Sequence, residues 1–381
     1  MTSSGGRAEM AVRAALRAVA VAGIVAVAAG PGAPAFAEPG GAGERATAHW
    51  QVAFRSFSSH SNELETVAAI SPGDAWAAGF TTATGSHVNP PVLHWDRARW
   101  RPVLVPGTSG TNFADVAASS SDDVWISAAN LDLGTDVVRR WDGQRWHSVP
   151  PPPGNGMVRV VLGPTDAWAE GPQFCVRNMK HCHTLLAHWN GQSWSQFMVP
   201  TFVDQMSGSA SGNVWVVGEF GGDPTPPAIP GRPVSFRWDG KSWQPVTSMP
   251  HPLSFFPASI AVTSPRNVWL SAQLATSSGP GPGYALHWNG RRWHQIRAPA
   301  KLHTFGPVLP DGSGAWLGAD AHWTGTQWIN TTPGPSFAGG RPAGIDGMAL
   351  VPGTASIWGV GSLTDAGTTF NSLVAIYGSI P

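Results

Sequence analysis

The residues best suited to chemistry in this chain stand in one short segment, 174–183, which contains both of its cysteines. Cys175 and Cys182 have six residues between them, and two cysteines so close in an exported chain most simply form a disulfide. A metal site is the alternative, because His181 and His183 would add imidazole ligands to two thiolates. The spacing matches no zinc motif, and an oxidising compartment disfavours free thiolates. We therefore predict a Cys175–Cys182 disulfide and no metal, and leave open whether the reduced loop binds one.

A second set is a row of histidines, each directly before a tryptophan at one position of a repeated segment. Its members are His94, His188, His287 and His322, while Arg140, Arg237 and Ile376 occupy the same position in other repeats. A ring of imidazoles could transfer protons near neutral pH. Recurrence at one structural position indicates packing between neighbouring repeats instead, so we predict no proton relay.

Charged residues fall at two positions of the repeat, and neither position predicts a catalytic centre. Asp74, Asp123 and Asp166 each stand two residues before a tryptophan, where other repeats carry Asn, Gly or Ser, so this position indicates a turn. The second group consists of scattered charges about ten residues before the same tryptophans: Glu65, Arg159, Asp204 and Asp346. They form no repeated acid and no single-sign ring. Any active site would be an asymmetric cluster, and its catalytic residues stay unknown.

Tryptophan defines the repeat that must position these residues. A lone Trp recurs every 42 to 54 residues, and a Trp-x4-Trp pair follows it. Seven units with three positions each give 21 positions, filled by all twenty tryptophans and one tyrosine. The positions are Trp76, Trp95, Trp100, Trp125, Trp141, Trp146, Trp168, Trp189, Trp194, Trp215, Trp238, Trp243, Trp269, Trp288, Trp293, Trp316, Trp323, Trp328, Trp358, Tyr377 and Trp50. Such numbers favour a structural role in the repeat over ligand contact.

A repeat of this length with four short strand patterns per unit is typical of a propeller blade. The last unit stops after the segment that ends at Tyr377, so it lacks its fourth strand. Residues 49–54, around Trp50, have the pattern of a fourth strand with no unit before it. Pairing the two fragments removes two open edges at once. The sequence therefore predicts an all-β fold: a seven-bladed β-propeller of four-stranded blades, closed by the N-terminal strand.

Turn residues separate the members of each Trp pair. Asp142-Gly143 and Asn190-Gly191 are strong hairpin signals, because glycine accepts positive φ without a Cβ clash. A four-residue loop there would set the two tryptophans directly opposite each other. The connections after the second and fourth strands are longer, so one face carries elaborate loops, and we expect function on that face.

The N-terminal composition predicts the domain boundaries, and the net charge limits the kinds of partner. Residues 1–37 have the basic start, apolar core and small-residue cleavage pattern of a signal peptide, residues 38–47 form a Gly/Ala-rich spacer, and residues 48–381 form one propeller domain. We therefore predict a secreted, extracellular protein with no stable membrane insertion after cleavage. The formal net charge is zero, which disfavours nucleic acid as a partner.

The Trp76-Ala77-Ala78-Gly79 segment with Trp95 and Trp100 resembles kelch and galactose-oxidase-like propellers. The chain is closer to the Trp-rich repeats of secreted bacterial proteins, written D-V-W-x-x-G followed by H-W-D-G-x-x-W, over about residues 48–378. The kelch Gly-Gly doublet is absent. Copper oxidation in the galactose-oxidase branch requires tyrosine ligands, whereas this chain has only two tyrosines, so we expect no cofactor.

These observations predict a non-catalytic binding or adhesion module that presents long loops to a protein or glycan ligand, and that acts as a monomer. An extracellular lyase or hydrolase with an asymmetric site on the long-loop face is one alternative. A carbohydrate-binding, lectin-like propeller with repeated sites is another. No H-E-x-x-H motif, G-x-S-x-G motif or phosphate-binding glycine loop supports a specific enzyme class.

Overall fold

The protein is known from a computed structural model. It describes residues 48–56, 60–83, 85, 87–130, 135–176, 181–220, 232–246, 249–250, 255–276, 279–299, 306–341, 343–364 and 369–381. The predicted signal peptide and spacer lie outside these residues. Among the described residues the fold is all-β, with one short 3-10 helix, η1, at Phe337–Gly339.

The first half of the chain contributes fourteen strands. They are β1 Trp50–Arg55, β2 Asn62–Ser71, β3 Asp74–Thr81, β4 Val92–Trp95, β5 Trp100–Pro102, β6 Phe113–Ser120, β7 Asp123–Asn130, β8 Thr135–Trp141, β9 Trp146–Val149, β10 Met157–Gly163, β11 Asp166–Val176, β12 His181–Trp189, β13 Trp194–Val199 and β14 Phe202–Ala210.

The second half contributes another fourteen. They are β15 Asn213–Phe220, β16 Arg232–Trp238, β17 Trp243–Val246, β18 Phe255–Ser264, β19 Asn267–Thr276, β20 Gly279–Trp288, β21 Trp293–Arg297, β22 Val308–Pro310, β23 Ala315–Leu317, β24 Ala321–Trp323, β25 Trp328–Asn330, β26 Ala343–Leu350, β27 Ile357–Thr364 and β28 Phe370–Tyr377.

The recurring unit is a sheet of four antiparallel strands that follow one another in the chain. Units β10 to β13, β14 to β17, β18 to β21 and β22 to β25 each form a separate sheet. Units β2 to β5 and β6 to β9 belong to one eight-stranded sheet, which a single residue pair between β3 and β6, Phe80 with Phe113, holds together. Strands β26, β27 and β28 take β1 as their fourth strand, with Trp50 opposite Tyr377. The pairing predicted between residues 49–54 and 373–377 is therefore present.

The Trp-x4-Trp pairs adopt the predicted register. In every such pair the two tryptophans lie directly opposite each other across the hairpin. Their ring centroids are 5.3–6.0 Å apart. Gly143 and Gly191, in the connecting turns, have φ of 89° and 95° as the hairpin signal requires. Arg97 takes the same left-handed region, with φ of 74°, in the one Trp-pair turn that begins Asp-Arg.

Five lone tryptophans pack against the Trp pair of the next unit, and Trp316 packs against Tyr377. Trp168 lies 5.1 Å from Trp238, and Trp215 lies 5.7 Å from Trp288. Trp358, on β27, lies 5.1 Å from both Trp95 and Trp100 of the first unit. These rings bury large apolar areas between sheets, and T-shaped or tilted arrangements add favourable ring contacts. The tryptophans therefore join one sheet to the next.

The first strands of successive units lie side by side. Contacts link β2 to β6, β6 to β10, β10 to β14, β14 to β18, β18 to β22, β22 to β26, and β26 to β2. Hydrogen bonds cross these contacts, because Val116 N–H donates to Thr66 Oγ1 at 3.2 Å and Val262 N–H donates to Ser207 Oγ at 3.1 Å. The first strands thus form a shared inner region, and each starts at the end of its sheet where the longer connections emerge.

Candidate functional site

The inner region carries β-bulges that re-aim specific side chains. In units β2 to β5, β10 to β13, β14 to β17 and β26 to β28 with β1, the first strand has one residue without a cross-strand partner, near its start. These residues are Glu65, Arg159, Asp204 and Asp346. A bulge breaks the strict alternation of side chains and is common beside functional sites. Four charged residues that look scattered in the sequence therefore all occupy the same position, the bulge of a first strand.

A glycine three residues after the lone Trp makes room for these bulges. A Cβ at Gly79 would lie 1.9 Å from the Glu63 carbonyl oxygen, and one at Gly218 would lie 1.8 Å from the Phe202 carbonyl oxygen. At Gly361 it would lie 2.2 Å from the Gly344 carbonyl oxygen. No side chain fits at these distances, so the glycine of the D-V-W-x-x-G motif admits the bulged strand.

Glu65 and Asp346 form one end of the charged set, together with Glu63. The pKa of Glu65 is raised to about 8, mainly by burial and then by the nearby carboxylates of Glu63, Asp346 and Asp115, while Arg159 acts in the opposite direction. Burial also raises the pKa of Asp346 to about 8, reinforced by the charge of Glu63 and by a hydrogen bond between these two carboxyl groups. Glu63 Oε1 in addition accepts a 3.0 Å bond from Ser362 Oγ. Glu65 and Asp346 therefore hold protons near neutral pH.

Arg159 lies at the middle of the set. Its Nη1 donates to Asp115 Oδ2, and its Nε lies 3.5 Å from Glu170 Oε2. Because Arg159 and Asp115 retain only 19% and 4% side-chain exposure, this ion pair is largely desolvated. Gln173 Nε2 donates to Glu170 Oε1 at 3.2 Å and holds that carboxylate from the other side.

Asp204 forms the opposite end. Burial raises the pKa of its carboxyl group well above the usual value, and the charges of Glu219 and Glu170 raise it further. Its Oδ2 is enclosed and has no hydrogen-bond partner among the described residues, as is also true of Glu65 Oε2 and Asp346 Oδ2. Buried carboxyl oxygens without partners are unusual, and a functional role is one of the explanations for them.

We call this set the acidic arc, and its members are Glu63, Glu65, Asp115, Arg159, Glu170, Asp204, Glu219 and Asp346. It contains seven carboxyl groups and one cation, and it runs along the starts of β26, β2, β6, β10 and β14 with the far parts of β11 and β15. These strand ends adjoin the longer connections. Chemically, the arc can donate protons or bind a positive group. No group of three or more metal-ligating side chains in metal geometry occurs within the described residues.

The predicted disulfide loop is described only in part. Strands β11 and β12 place Cys175 opposite Cys182, with Phe174 opposite His183 and Val176 opposite His181. Cys182 is buried, whereas residues 177–180 and the side chain of Cys175 lie outside what the structure describes. Much of the predicted long-loop face, including residues 221–231, 251–254 and 365–368, is also outside the described part.

The histidine row packs within its own unit, which corrects the predicted packing between repeats. His94 stacks on Trp76 at 4.2 Å and its Nε2 lies 2.9 Å from Asp74 Oδ1. His188 repeats this arrangement with Trp168 and Asp166. The acids two residues before the lone Trp therefore anchor the histidine as well as occupying the predicted turn. The row has a local structural explanation.

The acidic arc is the feature that reasoning from the sequence missed. The charges were visible, but strict two-residue alternation gives no reason to bring them together. The available signal was the glycine three residues after the lone Trp: Gly79, Gly171, Gly218 and Gly361 occur in the four units whose bulge residue is charged.

No protein-family model matches the chain, and no curated protein matches it. Solved structures are similar in fold. The structure of YCF48 bound to D1 peptide has a TM-score of 0.52 at 16% identity, covering 88% of this chain and 96% of that one. The polysaccharide lyase Uly1 gives 0.54 at 8% identity, covering 85% and 91%. The β-propeller domain of the Trilobed protease from Pyrococcus furiosus gives 0.50 at 8% identity, covering 82% and 95%. The chain is a Trp-rich, all-β protein of propeller architecture.

Proposed function

We propose that this protein is a secreted binding propeller whose ligand, a protein or a glycan, docks over the acidic arc on the long-loop face. The observation that carries the proposal is the arc itself: it has seven carboxyl groups, and the three that stand at bulges have enclosed oxygens that lack described partners. Stability alone does not favour such an arrangement, because desolvated, mutually repelling acids destabilise the fold that contains them. Interaction with a ligand offsets this cost.

The scaffold for this site is a seven-bladed ring closed by β1. Three contacts across the first and last units support the proposal. Trp358 packs on Trp95 and Trp100, Ser362 donates a hydrogen bond to Glu63, and one apolar core contains both Leu64 of β2 and Val374 of β28. The arc itself crosses this boundary between Asp346 and Glu65. A closed ring would hold the two in fixed relation.

The proposal includes export of the protein after signal-peptide cleavage and a disulfide between Cys175 and Cys182. The Cα register sets Cys175 opposite Cys182, which is the arrangement that a disulfide across this hairpin needs. Cleavage after residue 37 would release the propeller outside the cell. Within the described residues, no helix has the length and apolar character to cross a membrane. Mass measurement of the exported protein with and without reductant tests the disulfide and the cleavage position together.

The binding function is tested on a glycan array and a peptide array with the full chain. Wild type is compared with Asp346→Asn and Glu65→Gln, which remove ionisable carboxyl groups of the arc while keeping side-chain size. The control is Asp239→Asn, at a turn outside the arc. The side-chain oxygen of Asp239 accepts a backbone N–H bond, and Asn190 and Asn289 accept the same bond in their own turns, so asparagine should preserve it. We expect an array ligand whose signal falls in the arc variants alone. Signals equal in all four proteins would refute docking at the arc.

A lyase or hydrolase is the second candidate, favoured by one specific observation. The hydrogen-bonded pair of Glu63 and Asp346, with the raised pKa of Asp346, is suited to general acid catalysis near neutral pH. One of the similar structures, Uly1, is a polysaccharide lyase. Incubation with a polysaccharide panel, followed by assays for new reducing ends and for unsaturated products, tests this candidate. Turnover that Asp346→Asn abolishes and Asp239→Asn retains would support an enzyme over a binding module.

A further inference from the structure

Three carboxyl oxygens of the arc have no hydrogen-bond partner among the described residues, and we call them the orphaned oxygens. Their chemistry indicates which kind of ligand group would bind them. Glu65 Oε2, Asp204 Oδ2 and Asp346 Oδ2 are enclosed, and no donor of the described chain reaches them. Each carboxylate can accept several hydrogen bonds, and charged donors satisfy it best. A ligand that supplies cationic N–H donors would satisfy all three.

The charges are distributed in two groups on either side of Arg159. Arg159 pairs with Asp115 and Glu170, and it is the one cation that acts on the pKa of Glu65. The charges that act on Asp346 and Asp204 are acidic, with no described cation among them. One group therefore surrounds Glu65 and Asp346 and the other surrounds Asp204, and in each group a buried carboxyl oxygen has no described hydrogen-bond donor.

We infer that the acidic arc binds a basic peptide segment, with one lysine or arginine side chain in the group around Glu65 and Asp346 and another in the group around Asp204. This inference rests on the proposed binding function and names its ligand. A single metal ion fits less well, because the described acids do not converge into a set of metal ligands. The orphaned oxygens are recessed, and long flexible basic side chains can reach them while their backbone stays outside. An amino sugar carries its ammonium directly on the ring and lacks that reach.

The arc also predicts how binding depends on pH. A cation favours the ionised carboxyl groups, so each acid that is protonated in the free protein must release its proton on binding. Burial raises the pKa of Glu65 and of Asp346 to about 8, with Glu63 and Asp115 opposing ionisation and Arg159 favouring it. Affinity for a basic peptide should therefore increase from pH 6 to pH 9, where lysine remains charged.

The test is isothermal titration of the full chain with a synthetic octalysine peptide at low ionic strength. Wild type should bind, and its affinity should rise about tenfold or more between pH 6 and pH 9. Glu65→Gln and Asp204→Asn, one in each group, should each weaken binding about tenfold or more, because each removes a charged hydrogen-bond acceptor. Asp239→Asn should stay within about twofold of wild type. Circular dichroism confirms that the variants fold, and the wild-type pH series tests the inference without any variant.

The alternative results overturn the inference in distinguishable ways. Octalysine binding that is independent of pH and equal in all variants would reflect non-specific attraction and contradict it. Arc-dependent binding of a chitosan oligomer without octalysine binding would replace the peptide by an amino glycan. A neutral array ligand that binds wild type and does not bind the arc variants would refute the basic-peptide inference and support the proposed binding function. Absence of every arc-dependent ligand would remove both.

Discussion

The tryptophan positions and the acidic arc lie in the same sheets, mostly on different strands, and they differ in how far they follow the repeat. Trp125, Trp168, Trp215 and Trp358 occupy one position in four units and are fully buried. The arc, by contrast, uses Glu65, Asp204 and Asp346 at equivalent bulges, whereas the equivalent bulge in β18 presents Ala258. Contacts between sheets must recur for sheets to pack side by side. A ligand site need not recur, so departure from the repeat marks it.

The largest expected effect comes from the tryptophans. Trp358→Ala should lower the free energy of unfolding by about 3–5 kcal/mol, because it empties a buried site between the first and last units. Trp328→Ala, at a partly buried position, should cost less. Urea unfolding measures both. Equal losses would mean that burial of the lone Trp between sheets is not what the repeat preserves.

The next effect concerns the glycine that admits a bulge. In Gly218→Ala the new methyl group would lie 1.8 Å from the Phe202 carbonyl oxygen, so β14 must shift and carry Asp204 with it. We expect a loss of about 1–3 kcal/mol and a loss of Asp204-dependent binding. Gly163→Ala is the control, since a Cβ there meets nothing within 4 Å. Equal melting temperatures for the two variants would show that the bulge in β14 does not depend on the glycine at position 218.

A smaller effect tests the buried acids through pH. The folded pKa of Asp346 is about 8 against an ordinary value of 3.8. Between these values the unfolded chain has lost a proton that the folded chain retains, so stability falls as pH rises from about 4 to about 8. Asp346→Asn removes this titration, and its Tm at pH 8 should exceed that of wild type by about 2–4 °C. At pH 5 the difference should shrink. A variant with an unchanged pH profile would show that Asp346 does not titrate in this range.

The smallest effect is expected at the turn between Trp95 and Trp100, which departs from the repeat and lies outside the acidic arc. Arg97 occupies a left-handed conformation where other Trp-pair turns have glycine. Arg97→Gly should relieve backbone strain and stabilise the fold by about 0.5–1 kcal/mol, despite some lost packing over Gly73. Gly143→Ala, at φ of 89°, should destabilise by a similar amount. Chemical denaturation of both variants checks whether the turn follows the same rule in each unit.

Residue patterns predicted the architecture because the tryptophans and turn glycines each act locally and recur. The spacing of Trp141 and Trp146 around Asp142-Gly143 set both the turn and the cross-strand register, and the structure has both. The unfinished last unit likewise pointed to the partner of β1, and Trp50 does lie opposite Tyr377.

The acidic arc could not be predicted in the same way. Its members are up to 283 residues apart, from Glu63 to Asp346, and their convergence depends on how far each first strand is displaced by its bulge. A bulge changes register by one residue and leaves no hydrophobic pattern behind. The histidine row failed for a related reason: recurrence identified a structural position, but only the geometry shows that His94 stacks on Trp76 of its own unit.

Pairing between β1 and β28 has a consequence for how the chain acquires its final shape. Trp50 begins β1 and Phe370 begins β28, so 320 residues separate the starts of two strands that share one sheet. Joining segments so distant in sequence is slow, because the entropy of closing the loop opposes the contact before its hydrogen bonds form. During biosynthesis β1 must wait, unpaired, until β28 has emerged. Until then β1 presents an unpaired strand edge, and the last sheet is completed only when β28 becomes available.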